Sequence, residues 1–109
     1  MSSKLVMLVD DDPSVAKSLV RVFRSGGLDV ETYDSAESFL TREPPNCPSC
    51  LVLDVRMPGT SGLDLQETLN RSKLEIPIVF ITGHADVPTS VRAMKAGAVD
   101  YIEKPFRTQ

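Results

Sequence analysis

Two apolar runs, residues 4–9 and 50–53, stop abruptly at acids: the first at Asp10-Asp11-Asp12, the second at Asp54. Neither alternates with polar residues as a strand with one wet face does. Each therefore reads as a strand buried on both faces, the kind that belongs to a parallel sheet. Residues 29–33, 78–81 and 99–103 predict three more short strands, the fourth running into Thr82 and the fifth leading to Lys104-Pro105.

Helices fill the intervals. Asp12 is suited to cap a helix that opens at Pro13, carries Val15, Leu19, Val22 and Phe23 on one face, and ends at Gly26-Gly27. Ser35 caps a short helix bearing Phe39 and Leu40, which must stop before Pro44-Pro45. Pro58-Gly59 and Gly62 make a loop before a helix lined by Leu65 and Leu69. Val87, Val91 and Met94 recur at helical spacing ahead of Gly97. Five strands alternating with helices predict an α/β fold, a doubly wound five-stranded parallel sheet of order 2-1-3-4-5 with right-handed crossovers. At 109 residues and 41% apolar content the chain fits one domain with a single core, with no linker or repeat.

The polar residues fall in a pattern that the fold alone does not require. Asp10 and Asp11 end strand one, Asp54 ends strand three, Thr82 ends strand four and Lys104 ends strand five. In a parallel sheet these ends share one edge, and the winding reverses between strands one and three, where such folds bind ligands. Taken singly, each residue has a bland explanation: an acid after a strand is usually a helix cap, as Asp12 is expected to be, and a lysine is usually solvated. Together they place three carboxylates, a hydroxyl and an ammonium in one crevice. Crowded carboxylates must take up protons or share a cation. Mg²⁺, a hard ion with oxygen ligands, meets that need, and a metal beside Lys104 makes a place for a phosphoryl group. A carboxylate can then serve as the nucleophile and form an aspartyl phosphate.

With these motifs in view, the chain resembles the response-regulator receiver family of two-component signalling over nearly its whole length. The matching segments are Leu-Val-Asp-Asp-Asp at 8–12, Leu-Asp-Val-Arg-Met-Pro-Gly at 53–59, Ile-Thr-Gly at 81–83 and Lys-Pro-Phe at 104–106. Residues 79–106 are most similar to the nitrogen-fixation, FixJ-like regulators. The resemblance implies that Asp54 is the phosphoacceptor and that Asp11, Asp54 and the Arg56 backbone carbonyl bind Mg²⁺, with Asp10 acting mainly through water. It implies that Lys104 pairs with a phosphoryl oxygen, that Thr82 moves to hydrogen-bond it while Tyr101 turns inward, and that Gly83 leaves room for that approach. Arg56 and His84, two residues beyond Asp54 and Thr82, would flank the phosphoryl group and tune attack by water. It also implies a cis Lys104-Pro105 bond. The expected function is a phosphorylation-dependent switch that catalyses only its own phosphorylation and dephosphorylation, driven by a sensor histidine kinase or a small phosphodonor and controlling an output such as transcription.

The chain departs from the family in two respects. Receivers carry a fifth helix after Lys-Pro-Phe, and residues 1–109 are expected to form a receiver without that helix or an output domain, leaving an apolar patch on strands one and five and altering any homodimer made through it. Cys47-Pro-Ser-Cys50 is not a receiver motif; it precedes a strand, and only His84 could complete a metal set with it, so packing is the expected role for Cys50. A net charge of −3 with scattered Lys and Arg argues against direct nucleic-acid contact. The absence of a long apolar run or a signal-peptide pattern suggests no membrane contact and a cytoplasmic location. Two alternatives remain: a stand-alone phosphorelay protein, and an aspartyl-nucleophile phosphohydrolase, whose Asp-x-Asp arrangement Asp10 and Asp12 could mimic.

Overall fold

The computed structural model describes residues 4–72 and 75–104. Five parallel strands, β1 (Leu5–Val9), β2 (Asp29–Tyr33), β3 (Ser49–Asp54), β4 (Ile78–Thr82) and β5 (Asp100–Glu103), form one sheet of order β2-β1-β3-β4-β5. Helices α1 (Pro13–Ser25), α2 (Ala36–Leu40), α3 (Gly62–Arg71) and α4 (Val87–Lys95) make the crossovers. The expected doubly wound fold is thus the observed one. Element ends shift slightly: Lys4 and Val99 lie outside their strands, whereas Asp54 and Thr82 are the final residues of β3 and β4. Lys104-Pro105, with its expected cis bond, extends into residues outside those described.

The caps follow the local chemistry of the sequence. Asp12 accepts hydrogen bonds from the backbone N–H groups of Ser14 and Val15 at the start of α1, with Pro13 in the first turn. Ser35 caps α2 through the Ser38 N–H and Ser61 caps α3 through the Asp64 N–H. Asp86 caps α4 by accepting from the Thr89 N–H at 2.8 Å. These contacts satisfy amide groups that the helices cannot pair internally.

The two faces of the sheet are covered unequally. On one, Met7, Leu51, Leu53, Leu65, Phe80 and their neighbours form the larger core, closed by α2, α3 and α4. On the other, Val6, Leu8, Val52 and Ile81 pack against α1. Among the described residues α1 alone covers this second face, and an apolar groove of about 690 Å³ runs past Val6, Phe23, Val52, Ile81 and Ile102. Val22 of α1 is 61% exposed and Ile102 of β5 44%, but every residue of β1 is buried, so the apolar surface expected on strands one and five is seen at β5 and not at β1.

In α4 the apolar stripe points the other way from a core helix: Val87, Val91 and Met94 face outward and the small Ala93 is the buried residue. The reason is close approach to α3. Gln66, fully enclosed, donates its side-chain amide to the Ala93 carbonyl at 3.0 Å, and Asn70 donates to the Ala96 carbonyl at 2.9 Å. Two bonds to backbone at this range leave little space for a large side chain.

Candidate phosphoryl and metal site

The strand ends bring the expected residues together. Asp10 follows β1 and is anchored by its N–H to the Tyr33 carbonyl at 3.0 Å; its Oδ1 accepts from the Asp12 N–H at 2.9 Å. Asp54 ends β3, is 5% exposed, and accepts from the Arg56 N–H at 3.3 Å. Lys104 follows β5, where its N–H bonds the Thr82 carbonyl at 2.6 Å. Its ammonium stands 3.2 Å from Asp10 Oδ2 and 3.5 Å from Asp54 Oδ2. Asp11 is exposed, yet oxygens of Asp10, Asp11 and Asp54 lie within 4.8 Å of one another.

Charge in this crevice is not balanced. Of three clustered carboxylates, Asp10 and Asp54 meet one ammonium, and the Lys104 contact to Asp10 Oδ2 lacks hydrogen-bond geometry, leaving that buried oxygen without a hydrogen-bond partner. Burial, and after it the charge of Asp10, push the Asp54 carboxyl up to about 6; Lys104 opposes the shift without cancelling it. A buried acceptor without a donor and a carboxylate raised by its neighbours are what a hard cation with oxygen ligands relieves. The donor set therefore fits Mg²⁺: carboxylate oxygens on an open edge, with room for retained water.

The remaining predicted residues line the β4 side. Thr82 is 1% exposed, and its hydroxyl accepts from the His84 N–H at 3.1 Å and donates to the His84 carbonyl at 3.3 Å. His84 is exposed, and a methyl group at Gly83 would meet nothing within 4 Å, so the approach above Thr82 is open. Tyr101 packs beside Phe80, ring centroids 6.3 Å apart, with its hydroxyl buried and without a hydrogen-bond partner. Arg56 is exposed at its tip, where its guanidinium lies 3.7 Å from Asp86 Oδ2.

Two residues near the site escape a reading of the sequence. Gly62, at the start of α3, is pressed against the end of β3: a Cβ there would lie 2.2 Å from the Asp54 carbonyl oxygen. A glycine eight residues past an acid signals a turn, and only the fold shows what it touches. Asp86, which caps α4, is also the partner of Arg56. The cysteines divide between the faces, Cys47 packing against the larger core and Cys50 lining the groove, where burial raises its thiol pKa. Cys50, expected to be buried, is half-buried, and both cysteines are free.

Comparison with known proteins agrees with this arrangement. The family model described as the response regulator receiver domain matches residues 6–109. Nodulation protein W of Bradyrhizobium diazoefficiens is 55% identical over 105 residues, which are 96% of this chain and 46% of that protein. Among solved structures, the response regulator StyR superposes with a TM-score of 0.87 at 52% identity, covering 97% of this chain and 54% of that one. The FixJ-N crystal structure superposes with a TM-score of 0.86 at 48% identity, covering 98% and 86%. The chain spans about half the length of the curated relatives it matches. No helix among the described residues is long and apolar enough to cross a membrane. Motifs, sheet order and crevice converge with these matches: the chain belongs to the response regulator receiver domain family and is FixJ-like.

Proposed function

We propose that this receiver takes a phosphoryl group on Asp54, in a Mg²⁺-dependent reaction, from a sensor histidine kinase or a small phosphodonor. The observation that carries the reading is the position of Asp54: a buried carboxylate at a strand end, 3.5 Å from the Lys104 ammonium and beside two further aspartates. An Asp54 oxygen attacks phosphorus. The P–N bond of a phosphohistidine or the anhydride P–O bond of acetyl phosphate breaks, and imidazole, protonated by solvent, or acetate leaves. Asp11, Asp54 and the Arg56 carbonyl, with Asp10 contributing through water, would hold Mg²⁺, which when bound would supply charge neutralisation for the transferring group. Lys104 pairs with a phosphoryl oxygen, and positioning by these groups supplies most of the acceleration.

For the switch to operate, the Thr82 hydroxyl exchanges its bonds at His84 for one to the phosphoryl group, across the open space at Gly83. Tyr101 already places an unpartnered hydroxyl inside, beside Asp86, whose charge adds to burial in raising its pKa. Residues 1–109 then act as one receiver unit whose switching controls an output, transcription by analogy with the transcriptional regulatory protein FixJ of Rhizobium meliloti. The phosphohydrolase reading fits less well, because the Asp12 carboxylate is committed to capping α1.

Incubation with acetyl phosphate and Mg²⁺, followed by intact-mass measurement, tests the assignment. One added phosphoryl group is expected on the native chain and none on Asp54→Asn. Equal labelling of both would overturn it.

A further inference from the structure

The contact between Arg56 and Asp86 joins the loop after β3 to the start of the helix after β4, on the edge that holds Asp54 and Thr82. Arg56 has its own N–H on Asp54 Oδ1, and its side chain then runs sideways to Asp86 Oδ2, so the guanidinium spans the gap between the ends of β3 and β4. Asp86 is itself held in place: Oδ1 receives the Thr89 N–H at 2.8 Å, which leaves Oδ2 for Arg56. Among the described residues, Arg56 has no other acidic partner. With 67% of its side chain exposed, that carboxylate is the charged contact of its guanidinium.

We propose that Asp86 is a positioning residue that keeps the Arg56 guanidinium across the mouth of the crevice, where it slows attack of water on phosphorylated Asp54. The proposal rests on Asp54 being the acceptor. In the step concerned, a water oxygen bonds to phosphorus as the bond from phosphorus to the Asp54 oxygen breaks. The electron pair returns to the carboxylate, a proton passes to solvent and inorganic phosphate leaves. Water must reach phosphorus from the side opposite Asp54, which is the open side of the crevice. A planar cation fixed there narrows that route; a mobile one does so only part of the time.

The test uses Asp86→Asn, which keeps a capping side chain and removes the charge. The protein is phosphorylated with acetyl phosphate and Mg²⁺, the donor is removed, and decay of the phosphorylated mass is followed. Loss of one exposed ion pair should shorten the half-life about two- to fivefold. Arg56→Ser should shorten it at least as much, and the double variant should decay no faster than Arg56→Ser alone. Salt adds a readout that a purely structural role would not move. Raising ionic strength from about 0.05 M to about 0.5 M should shorten the native half-life and leave that of Asp86→Asn unchanged. Should the Asn variant fold poorly, Asp86→Ser, another capping residue, gives the same comparison. Labelled protein in which Asp86→Asn decays at the native rate, or in which the two single effects multiply, overturns the proposal alone. A native chain that takes no label overturns the Asp54 assignment and this proposal with it.

Discussion

Two groups of charged side chains on neighbouring strands meet opposite fates. On β2 and just past α2, Glu31 receives Arg42 through two guanidinium nitrogens, at 2.5 and 2.9 Å, and the Tyr33 hydroxyl at 2.7 Å. Each polar atom has a partner, and the hydrogen bond from Arg42 holds the Glu31 carboxyl down at about 2. Past β1 and β3 the arithmetic fails: Asp10 and Asp54 share Lys104 with Asp11 clustered beside them, a buried oxygen goes without a hydrogen bond, and Asp54 rises to about 6. The first group is complete and tethers α2 to the sheet. The second is complete only when something cationic joins it. Deliberate incompleteness of this kind is a mark of a working site.

The largest expected effect on this contrast comes from adding the missing charge. Mg²⁺ at ten times its dissociation constant should raise the melting temperature by roughly 5–10 °C, following mass action on the folded state. Asp11→Asn should lose most of that rise, while Arg42→Met should keep it. A melt indifferent to Mg²⁺ in the native chain would remove the distinction between the two groups.

Titration sharpens it further in metal-free buffer. Because the folded Asp54 holds its proton more tightly than the unfolded chain does, stability falls as pH rises from about 4 through about 6. Asp54→Asn should therefore stabilise the metal-free protein at pH 7, by roughly 1–3 kcal/mol, and do little at pH 4. Denaturant unfolding at the two pH values measures this directly. Glu31 behaves in the opposite sense: its contribution is full above its ordinary value of 4.5 and disappears as pH falls through about 2.

Smaller effects come from dismantling the balanced group. Glu31 is 42% exposed, so the solvent screens its pair; Arg42→Met should cost about 1 kcal/mol at pH 7, the upper end for an exposed pair. Tyr33→Phe, which keeps the edge-to-face packing on Phe39 and removes one donor, should cost about 0.5 kcal/mol or less. Equilibrium unfolding in urea resolves both. A larger penalty for Tyr33→Phe than for Arg42→Met would show that the hydroxyl, not the guanidinium, anchors the group.

How much of this was legible in the chain depended on the range of the interaction. Strands β1 and β3 were readable because apolar runs closed by Asp10 and Asp54 can hardly be anything else, and the strand order then placed Lys104 and Thr82 on the same edge. Caps at Asp12 and Ser35 were readable because they act within three residues. The α4 stripe was readable as a stripe but not as outward-facing, since spacing carries no sign; the Gln66 amide on the Ala93 carbonyl, from residues 27 apart, decides it. The Glu31–Arg42 and Arg56–Asp86 pairs depend on how crossovers bring distant loops together, and periodicity says nothing about that.

Gly62 bears on how such a site can change over evolution. Residues that do the chemistry announce themselves when replaced, because a side chain is lost. Position 62 has no side chain to lose, yet a single added carbon would sit 2.2 Å from the backbone oxygen of Asp54 and 3.1 Å from the Cα of Val55. Every alternative residue there begins by displacing the end of β3, and with it the carboxylate. The crevice can drift at Arg56 or His84, whose side chains reach into solvent. At Gly62 that search is closed, and a mutational scan would show intolerance at a position that contributes no functional group.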